Sequence, residues 1–206
     1  MIKELENLVY FSTSNVDIFL KNRNLARVNI SRRLKNWEIH HIREWIYISD
    51  KKINELKFSN KMGWFIEFIA TNLIYKPSYI SMEYVLFLHN IITENVYTMT
   101  LITTKKTAEF KNIFWKFYYN SIKESFFWDY ETIKKDWFLI YRATPEKALF
   151  DYFYFKRWFI FKESYIRELR LNIDNINFKK FEKIVKKYNS PKVTKIFNLL
   201  KKYKWL

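Results

Sequence analysis

The 206-residue chain contains no cysteine and only one glycine, Gly63. The lack of cysteine excludes disulfide bonds and thiolate metal sites, and it leads us to expect a cytoplasmic protein. The scarcity of glycine argues against a nucleotide-binding loop, because a loop that cradles phosphates needs several glycines for close backbone approach.

Long apolar runs are also missing, since charged residues interrupt every aromatic cluster before the roughly 18 apolar residues that a membrane span requires. The first ten residues carry Lys3, Glu4 and Glu6, which is unlike a signal peptide. We therefore expect no membrane segment. Hydrophobic residues make up 49% of the chain, enough for a folded core.

Candidate catalytic groups are few. The histidines are His40, His41 and His89, and adjacent residues of a strand point to opposite faces, which disfavours a metal site shared by His40 and His41. His89, beside a buried helix, and Glu146 and Asp151, after a helix cap, are expected to be structural. We predict no catalytic residue, no metal and no cofactor, and hence a protein that is not an enzyme.

Positive charge is what the sequence has in excess, with a net charge of +16. Residues 1–36 carry seven basic and three acidic side chains, and residues 179–206 carry ten lysines and one acid, Glu182. Such an excess attracts polyanions. Nucleic acid is therefore the first expected partner, ahead of anionic lipid or an acidic protein.

The first fifty residues have the pattern of three short helices followed by a β-hairpin. Ser14 has the position of a capping residue for the second helix, and the third helix is predicted from about Asn24 to Asn36. The stretches Ile39–Ile42 and Trp45–Ile48 are rich in β-branched and aromatic residues, which predicts a two-stranded wing. We assign residues 1–52 to a winged helix-turn-helix DNA-binding domain.

In a helix-turn-helix the second helix of the pair lies in the major groove and presents exposed side chains to base edges. Periodicity places Ala26, Ile30 and Leu34 of the third predicted helix on its inner face. The predicted DNA-binding residues are Arg27, Ser31, Arg32 and Lys35 on this helix, with His41 and Arg43 on the wing. The alternative is a solvated basic helix surface.

Residues 53–206 are predicted to form a mixed α+β domain with a small sheet and terminal helices, which makes the fold class α+β. The polar stretch Lys51–Asn60 has the composition of a linker. A buried helix is expected over Trp64–Tyr75, and strands are expected around residues 96–104, 113–122 and 137–141. Thr144-Pro145-Glu146 and Ser190-Pro191 are typical helix starts.

The lysines between Lys179 and Lys204 alternate with Phe178, Phe181 and Tyr188. One interpretation is a second surface that follows a phosphate backbone. The other is that the aromatic residues form the inner face of a helix whose outer side is rich in lysine.

Three strings in the larger part of the chain resemble the AbiEi-type antitoxins of bacterial abortive-infection systems. They are Pro77-Ser78-Tyr79-Ile80-Ser81, His89-Asn90-Ile91-Ile92-Thr93-Glu94, and Arg142-Ala143-Thr144-Pro145-Glu146-Lys147-Ala148-Leu149-Phe150-Asp151. The resemblance extends from about Phe11 to Leu200. It implies an N-terminal winged helix-turn-helix joined to a larger α+β domain.

The resemblance further implies the antitoxin of a type IV toxin-antitoxin system. Such a protein represses its own operon by binding inverted repeats in the promoter, with two copies on the operator, and counteracts a nucleotidyltransferase toxin without requiring a stable complex. The central strings are expected to be scaffold. Members of the family usually have glycine at the wing turn and after the histidine, where this chain has Glu44 or Trp45 and Asn90.

Three other functions remain open at this point. The chain could neutralise an acidic partner protein through its basic C-terminal helices, without sequence-specific DNA binding. It could instead be a nucleic-acid-modifying enzyme, or it could bind anionic membranes peripherally. Sequence-specific binding to promoter DNA would distinguish the repressor-antitoxin from these three alternatives.

Overall fold

A computed structural model describes residues 3–157 and 162–204. This part of the chain has a mixed α+β fold with one small sheet and one larger mixed sheet, which confirms the predicted class. In the described ranges, every helix falls short of the length and hydropathy that crossing a bilayer would demand.

The N-terminal unit contains three helices and a three-stranded antiparallel sheet with the order β1-β3-β2. Its elements are α1 (Lys3–Glu6), β1 (Phe11–Ser12), α2 (Thr13–Leu20), α3 (Arg23–Lys35), β2 (Ile39–Arg43) and β3 (Ile46–Ser49). A small hydrophobic cluster joins them. Its buried members are Leu5, Phe11, Val16, Ala26, Ile30, Ile39 and Tyr47.

The start of α2 differs from the prediction, because Ser12 and not Ser14 is its N-cap. The Ser12 hydroxyl accepts from the backbone N–H of Asn15, while the Asn15 side chain accepts from the backbone N–H of Ser12, at 3.3 and 2.8 Å. This reciprocal pair is a capping box, with asparagine in the place usually held by glutamate or glutamine. The spacing of Val16, Phe19 and Leu20 predicts an inner stripe for this helix. Val16 is buried, whereas Phe19 is 42% exposed.

Helix α3 begins and ends within one residue of the prediction. Asn22 caps it, because its side-chain oxygen accepts from the backbone N–H groups of Asn24 and Leu25 at 3.1 and 3.0 Å. Beyond its last residue, Trp37 has a left-handed backbone with φ 59°. The helix therefore cannot continue into β2.

The larger unit is built around a six-stranded mixed sheet with the order β6-β7-β5-β4-β9-β8. Its strands are β4 (Ser78–Ile80), β5 (Met99–Thr103), β6 (Ala108–Lys111), β7 (Lys116–Ser121), β8 (Tyr130–Lys135) and β9 (Phe138–Ala143). Its helices are α4 (Asp50–Phe58), α5 (Met62–Ile69), α6 (Met82–Leu88), α7 (Pro145–Phe155), α8 (Glu163–Glu168), α9 (Phe178–Tyr188) and α10 (Pro191–Lys204). Helix α5 continues as a π-helical turn over Ala70–Ile74.

The two faces of this sheet are covered by different helices. Ile80 pairs with Arg142 across β4 and β9, and the Arg142 side chain contacts Glu67 of α5. Tyr79 points to the opposite face, because side chains alternate along a strand. There its hydroxyl donates to Asp151 of α7 at 3.0 Å. The sheet therefore lies between α5 and α7, and α9 and α10 pack on α7.

The predicted linker at Lys51–Asn60 is wrong, because most of it forms helix α4. Ser49 caps this helix by accepting from the backbone N–H of Lys52 at 3.1 Å. Ile53 and Leu56 are three residues apart, share one helical face and are buried in the larger core. The polar composition of the stretch reflects the solvent side of a helix.

The β2–β3 hairpin contributes to both cores. Ile39 and Tyr47 belong to the small cluster, whereas Ile42 and Ile48 belong to the large one. In addition, the Asn112 side chain of the larger unit donates to the backbone carbonyl of Ile42 at 3.0 Å. The hairpin is thus the structural joint between the two units.

Two of the three strings that carry the family resemblance meet in the core. Lys147 and Asp151 are fully buried on α7 and form an ion pair of 2.5 Å. The Asp151 carboxylate also accepts from the hydroxyls of Tyr79 and Ser81, at 3.0 and 2.7 Å. Burial raises the pKa of Asp151, while the charge of Lys147 acts in the opposite direction. This network joins β4 to α7.

The other residues expected to be structural differ in their surroundings. Glu146 is buried and accepts from the backbone N–H of Asn177 at 3.1 Å. His89 is the C-cap of α6, whose Val85 and Leu86 are buried, and the His89 side chain itself is exposed. Asn90 follows with φ 53°, the left-handed conformation that asparagine tolerates better than most residues.

Candidate nucleic-acid interface

The outer face of α3 forms a basic surface of the N-terminal unit. Ala26 and Ile30 face the small core with exposed fractions of 0% and 6%, whereas Val28 on the opposite side is 64% exposed. The four predicted contact residues of this helix, Arg27, Ser31, Arg32 and Lys35, are all exposed. These four residues therefore present three cations and a hydroxyl to solvent.

Arg32 is oriented by a neighbour on the same helix. Its guanidinium donates to the Asn29 side-chain oxygen at 3.4 Å, and the Asn29 amide donates to the backbone carbonyl of Leu25 at 2.9 Å. Arg27 and Lys35 form no side-chain hydrogen bond or ion pair within residues 3–157 and 162–204. Their charges are therefore free to meet a polyanion.

Arg33 has a different role from its neighbour Arg32. Its guanidinium forms ion pairs with Glu6 and Glu38, at 3.0 and 3.1 Å, and the side chain is 16% exposed. Sequence reasoning could count Arg33 as a basic residue of α3 but could not show that two acids neutralise it. Arg33 therefore ties α3 to α1 and to the start of β2.

The predicted wing residues are less uniform. His41 is exposed, and its ring centroid lies 4.9 Å from that of Tyr47. The strand register shifts between His41 and Arg43, which is a β-bulge that redirects the following side chain. The Arg43 guanidinium donates to the backbone carbonyl of Leu73 at 3.2 Å. Arg43 thus contacts the larger unit instead of extending from a wing tip.

The turn of the hairpin consists of Glu44 and Trp45. Trp45 has φ 65°, in the left-handed region where the resemblance implies a glycine, and it is 55% exposed. Its backbone carbonyl accepts from the N–H of Thr13 at 3.1 Å, which fixes the turn next to the start of α2. The hairpin therefore keeps a tight turn without glycine.

The hairpin also borders a cavity of about 600 Å³ at the junction of the two units. Its lining comes from β2 and its turn, and from the segment around β6. The contributing residues are His41, Ile42, Arg43, Glu44, Ile74, Phe110, Lys111, Asn112 and Ile113.

Two exposed apolar residues on α3, Leu25 and Val28, were not predicted as contacts. They are 48% and 64% exposed and lie among the cations and the serine. A helical wheel already places Val28 opposite Ala26, so the signal was present in the sequence. A prediction of base contacts from polar groups alone does not include an apolar side chain such as Val28.

A second basic surface lies on α9. Phe181, Val185 and Tyr188 are buried, which confirms that the aromatic residues form the inner face of this helix. The five lysines of α9 lie together on its outer face, namely Lys179, Lys180, Lys183, Lys186 and Lys187. Lys186 pairs with Glu182 at 3.3 Å and Lys187 with Asp129 at 2.6 Å.

A cleft of about 990 Å³ lies beside the start of α6 and the end of α7. Burial raises the pKa of Glu83 on its wall, and the Glu83 Oε2 atom has no hydrogen-bond partner within the described ranges. Lys156 donates to the Tyr152 hydroxyl at 2.7 Å nearby.

Potential metal ligands are dispersed in the part of the chain that the structure describes, where no three His, Asp or Glu side chains converge. His40 Nε2 lies 3.2 Å from Asp50 Oδ1, and among the described residues no third potential ligand joins this pair. Comparison with known proteins gives no assignment, since no protein-family model matches the chain and no curated protein is significantly similar to it.

Proposed function

We propose that the chain is a sequence-specific DNA-binding regulator whose N-terminal unit is a winged helix-turn-helix. Helices α2 and α3 form the helix pair, α3 is the recognition helix, and β2 and β3 form the wing. The order of these elements supports the assignment, as does the packing of α3 with its apolar side inward. Such a unit inserts its second helix into the major groove.

The outer face of α3 carries the proposal. Arg27, Arg32 and Lys35 are exposed there with no acidic partner within the described ranges, so the face has a net positive charge. Arginine can donate two parallel hydrogen bonds to guanine, and lysine neutralises phosphate. We assign base recognition to Arg32 and Ser31, and phosphate contacts to Arg27 and Lys35, with His41 as an auxiliary contact from the wing.

We further propose that this regulator is an antitoxin of the AbiEi type, acting in the cytoplasm. It would repress its own promoter as two copies on inverted repeats and counteract a nucleotidyltransferase toxin. The proposal is supported by the resemblance of the central strings and by the burial of Lys147, Asp151, Tyr79 and Ser81, which suits a scaffold role. Co-expression with the adjacent reading frame, and rescue of growth by this chain, tests the antitoxin function.

The DNA-binding proposal is tested with fluorescence-labelled duplexes of the chain's own promoter and of a scrambled sequence. We expect tighter binding to the promoter, and a slope of log affinity against log salt near −0.9 for each neutralised phosphate. Arg32→Ala should remove about 1–3 kcal/mol of the discrimination. Lys134→Ala removes one exposed charge from β8 and is the matched control. Equal affinity for both duplexes would contradict the proposal.

The lysine face of α9 favours a second candidate function, in which the chain binds and neutralises an acidic partner protein. Residues 179–206 contain ten lysines and one acid, and this positive charge would attract an acidic protein surface. Replacing Lys179, Lys183 and Lys186 together with glutamine should then abolish rescue from the toxin while leaving promoter discrimination intact. If the triple variant still rescues growth from the toxin, this second function is excluded.

A further inference from the structure

Val28 occupies the centre of the DNA-facing side of α3. It lies about 160° around the helix from both Ala26 and Ile30, given 100° per residue, and these two residues are buried. The Val28 side chain is 64% exposed. It is therefore the side chain that enters a groove first if α3 is inserted along its outer face.

Valine contributes little by itself to an exposed helix position. Its helix propensity is lower than that of alanine, and its methyl groups remain in water. In a helix, however, about 90% of valines adopt a single χ1 rotamer, so the two methyl groups are held in one orientation. A contact made by Val28 therefore costs little side-chain entropy.

The major groove offers one apolar feature that valine can recognise. Thymine presents its C5-methyl group there, and apolar side chains contact it, whereas guanine and adenine present acceptors and donors for polar side chains. We infer that Val28 selects a thymine by contact with its methyl group, in the same half-site as the guanine bound by Arg32. This inference rests on the proposed DNA-binding function and specifies part of the sequence it recognises.

The spacing of the two residues sets the spacing of the two bases. Val28 and Arg32 are four residues apart, about 6 Å along the helix axis, and base pairs follow one another at about 3.4 Å. The thymine should therefore lie one or two base pairs from the guanine. Leu25, 48% exposed and three residues before Val28, extends the apolar strip.

The experiment uses the full chain and a duplex selected by the wild-type protein from a random-sequence pool. Each thymine of the selected site is replaced singly by deoxyuridine, which removes only the methyl group. We expect a three- to fivefold loss of affinity at one thymine per half-site, close to the value for burial of one methyl group. Val28→Ala should lose a similar factor and become insensitive at that thymine.

Ile18→Ala is the matched control, because Ile18 is 74% exposed on α2 and its removal also deletes an exposed aliphatic group. This variant should retain the response to deoxyuridine. The inference is overturned if deoxyuridine at every thymine leaves the affinity unchanged. It is also overturned if Val28→Ala responds to deoxyuridine as wild type does. Neither outcome would contradict the proposed DNA binding. A pool from which no preferred sequence emerges would overturn the proposed function and the inference together.

Discussion

The hydroxyl of Ser81 donates a 2.7 Å hydrogen bond to the carboxylate of Asp151, across 70 residues of sequence. Both side chains are fully buried. The same carboxylate binds the ammonium group of Lys147, which also donates to the backbone carbonyl of Phe126 at 2.9 Å. The two sequence strings are therefore linked by a buried polar network whose members satisfy one another.

Removal of Lys147 should be severely destabilising. Lys147→Ala leaves the buried Asp151 without its cation, and breaking a buried pair in this way costs about 3–5 kcal/mol. The free energy of unfolding in urea measures the loss. Lys180→Ala, which removes an exposed lysine of α9, should change it by less than about 0.5 kcal/mol. Equal effects of the two substitutions would contradict a structural role for the network.

Arg32 and Arg33 should separate DNA affinity from stability. Arg33→Ala removes two ion pairs at a mostly buried guanidinium and should lower the free energy of unfolding by about 2 kcal/mol. Arg32→Ala should leave stability nearly unchanged and reduce promoter discrimination. Thermal unfolding and promoter titration of both variants provide the comparison. The structural role assigned to Arg33 is wrong if Arg33→Ala proves as stable as wild type.

The left-handed backbone at Trp45 predicts an order among substitutions at the hairpin turn. A residue with a Cβ atom incurs roughly 1–2 kcal/mol in this conformation, whereas glycine does not. Trp45→Gly should therefore be more stable than Trp45→Ala by about 1 kcal/mol. Chemical denaturation of the two variants measures the difference. A more stable alanine variant would mean that the turn has another conformation.

The burial of Glu83 predicts that the protein loses stability as the pH rises. Burial raises its pKa from 4.5 in the native state, so the native protein holds this proton more tightly than the unfolded chain. Wild-type stability should then fall as pH rises from about 4.5 through the raised native pKa. Glu83→Gln removes this loss.

Denaturation midpoints of wild type and Glu83→Gln, measured between pH 4 and 8, test this expectation. The variant should be the more stable protein at neutral pH, and its advantage should shrink toward pH 4. Glu131→Gln, an exposed position on β8, serves as the control and should follow the wild-type curve. An advantage that does not change with pH would point to packing instead of titration.

Local sequence signals predicted much of the N-terminal unit and several helix starts. The bounds of α3 and the β2–β3 hairpin follow from periodicity, and the cap at Thr144 begins α7, where its hydroxyl accepts from the backbone N–H of Lys147 at 3.2 Å. The spacing of Val193, Ile196 and Leu200 likewise predicts the inner face of α10, and all three residues are fully buried. These features depend on residues a few positions apart.

Features that depend on distant residues could not be read from the sequence. The neutralisation of Arg33 requires Glu6, which is 27 residues away, and the position of Arg43 depends on Leu73, 30 residues away. Helix α4 was missed because its two buried residues pack against a unit that the local pattern does not reveal. The strand β6 has only half-buried side chains at alternate positions, so it lacks a strong apolar signal.

The shared hairpin couples the packing of α3 to the packing of the larger unit. A fragment ending near residue 52 would lose the partners of Ile42 and Ile48 and present both side chains to water. A molecule that shifted the larger sheet by a fraction of an ångström would also act on the strands that support α3. Any role of α3 and any role of the larger unit therefore depend on one shared stretch of backbone.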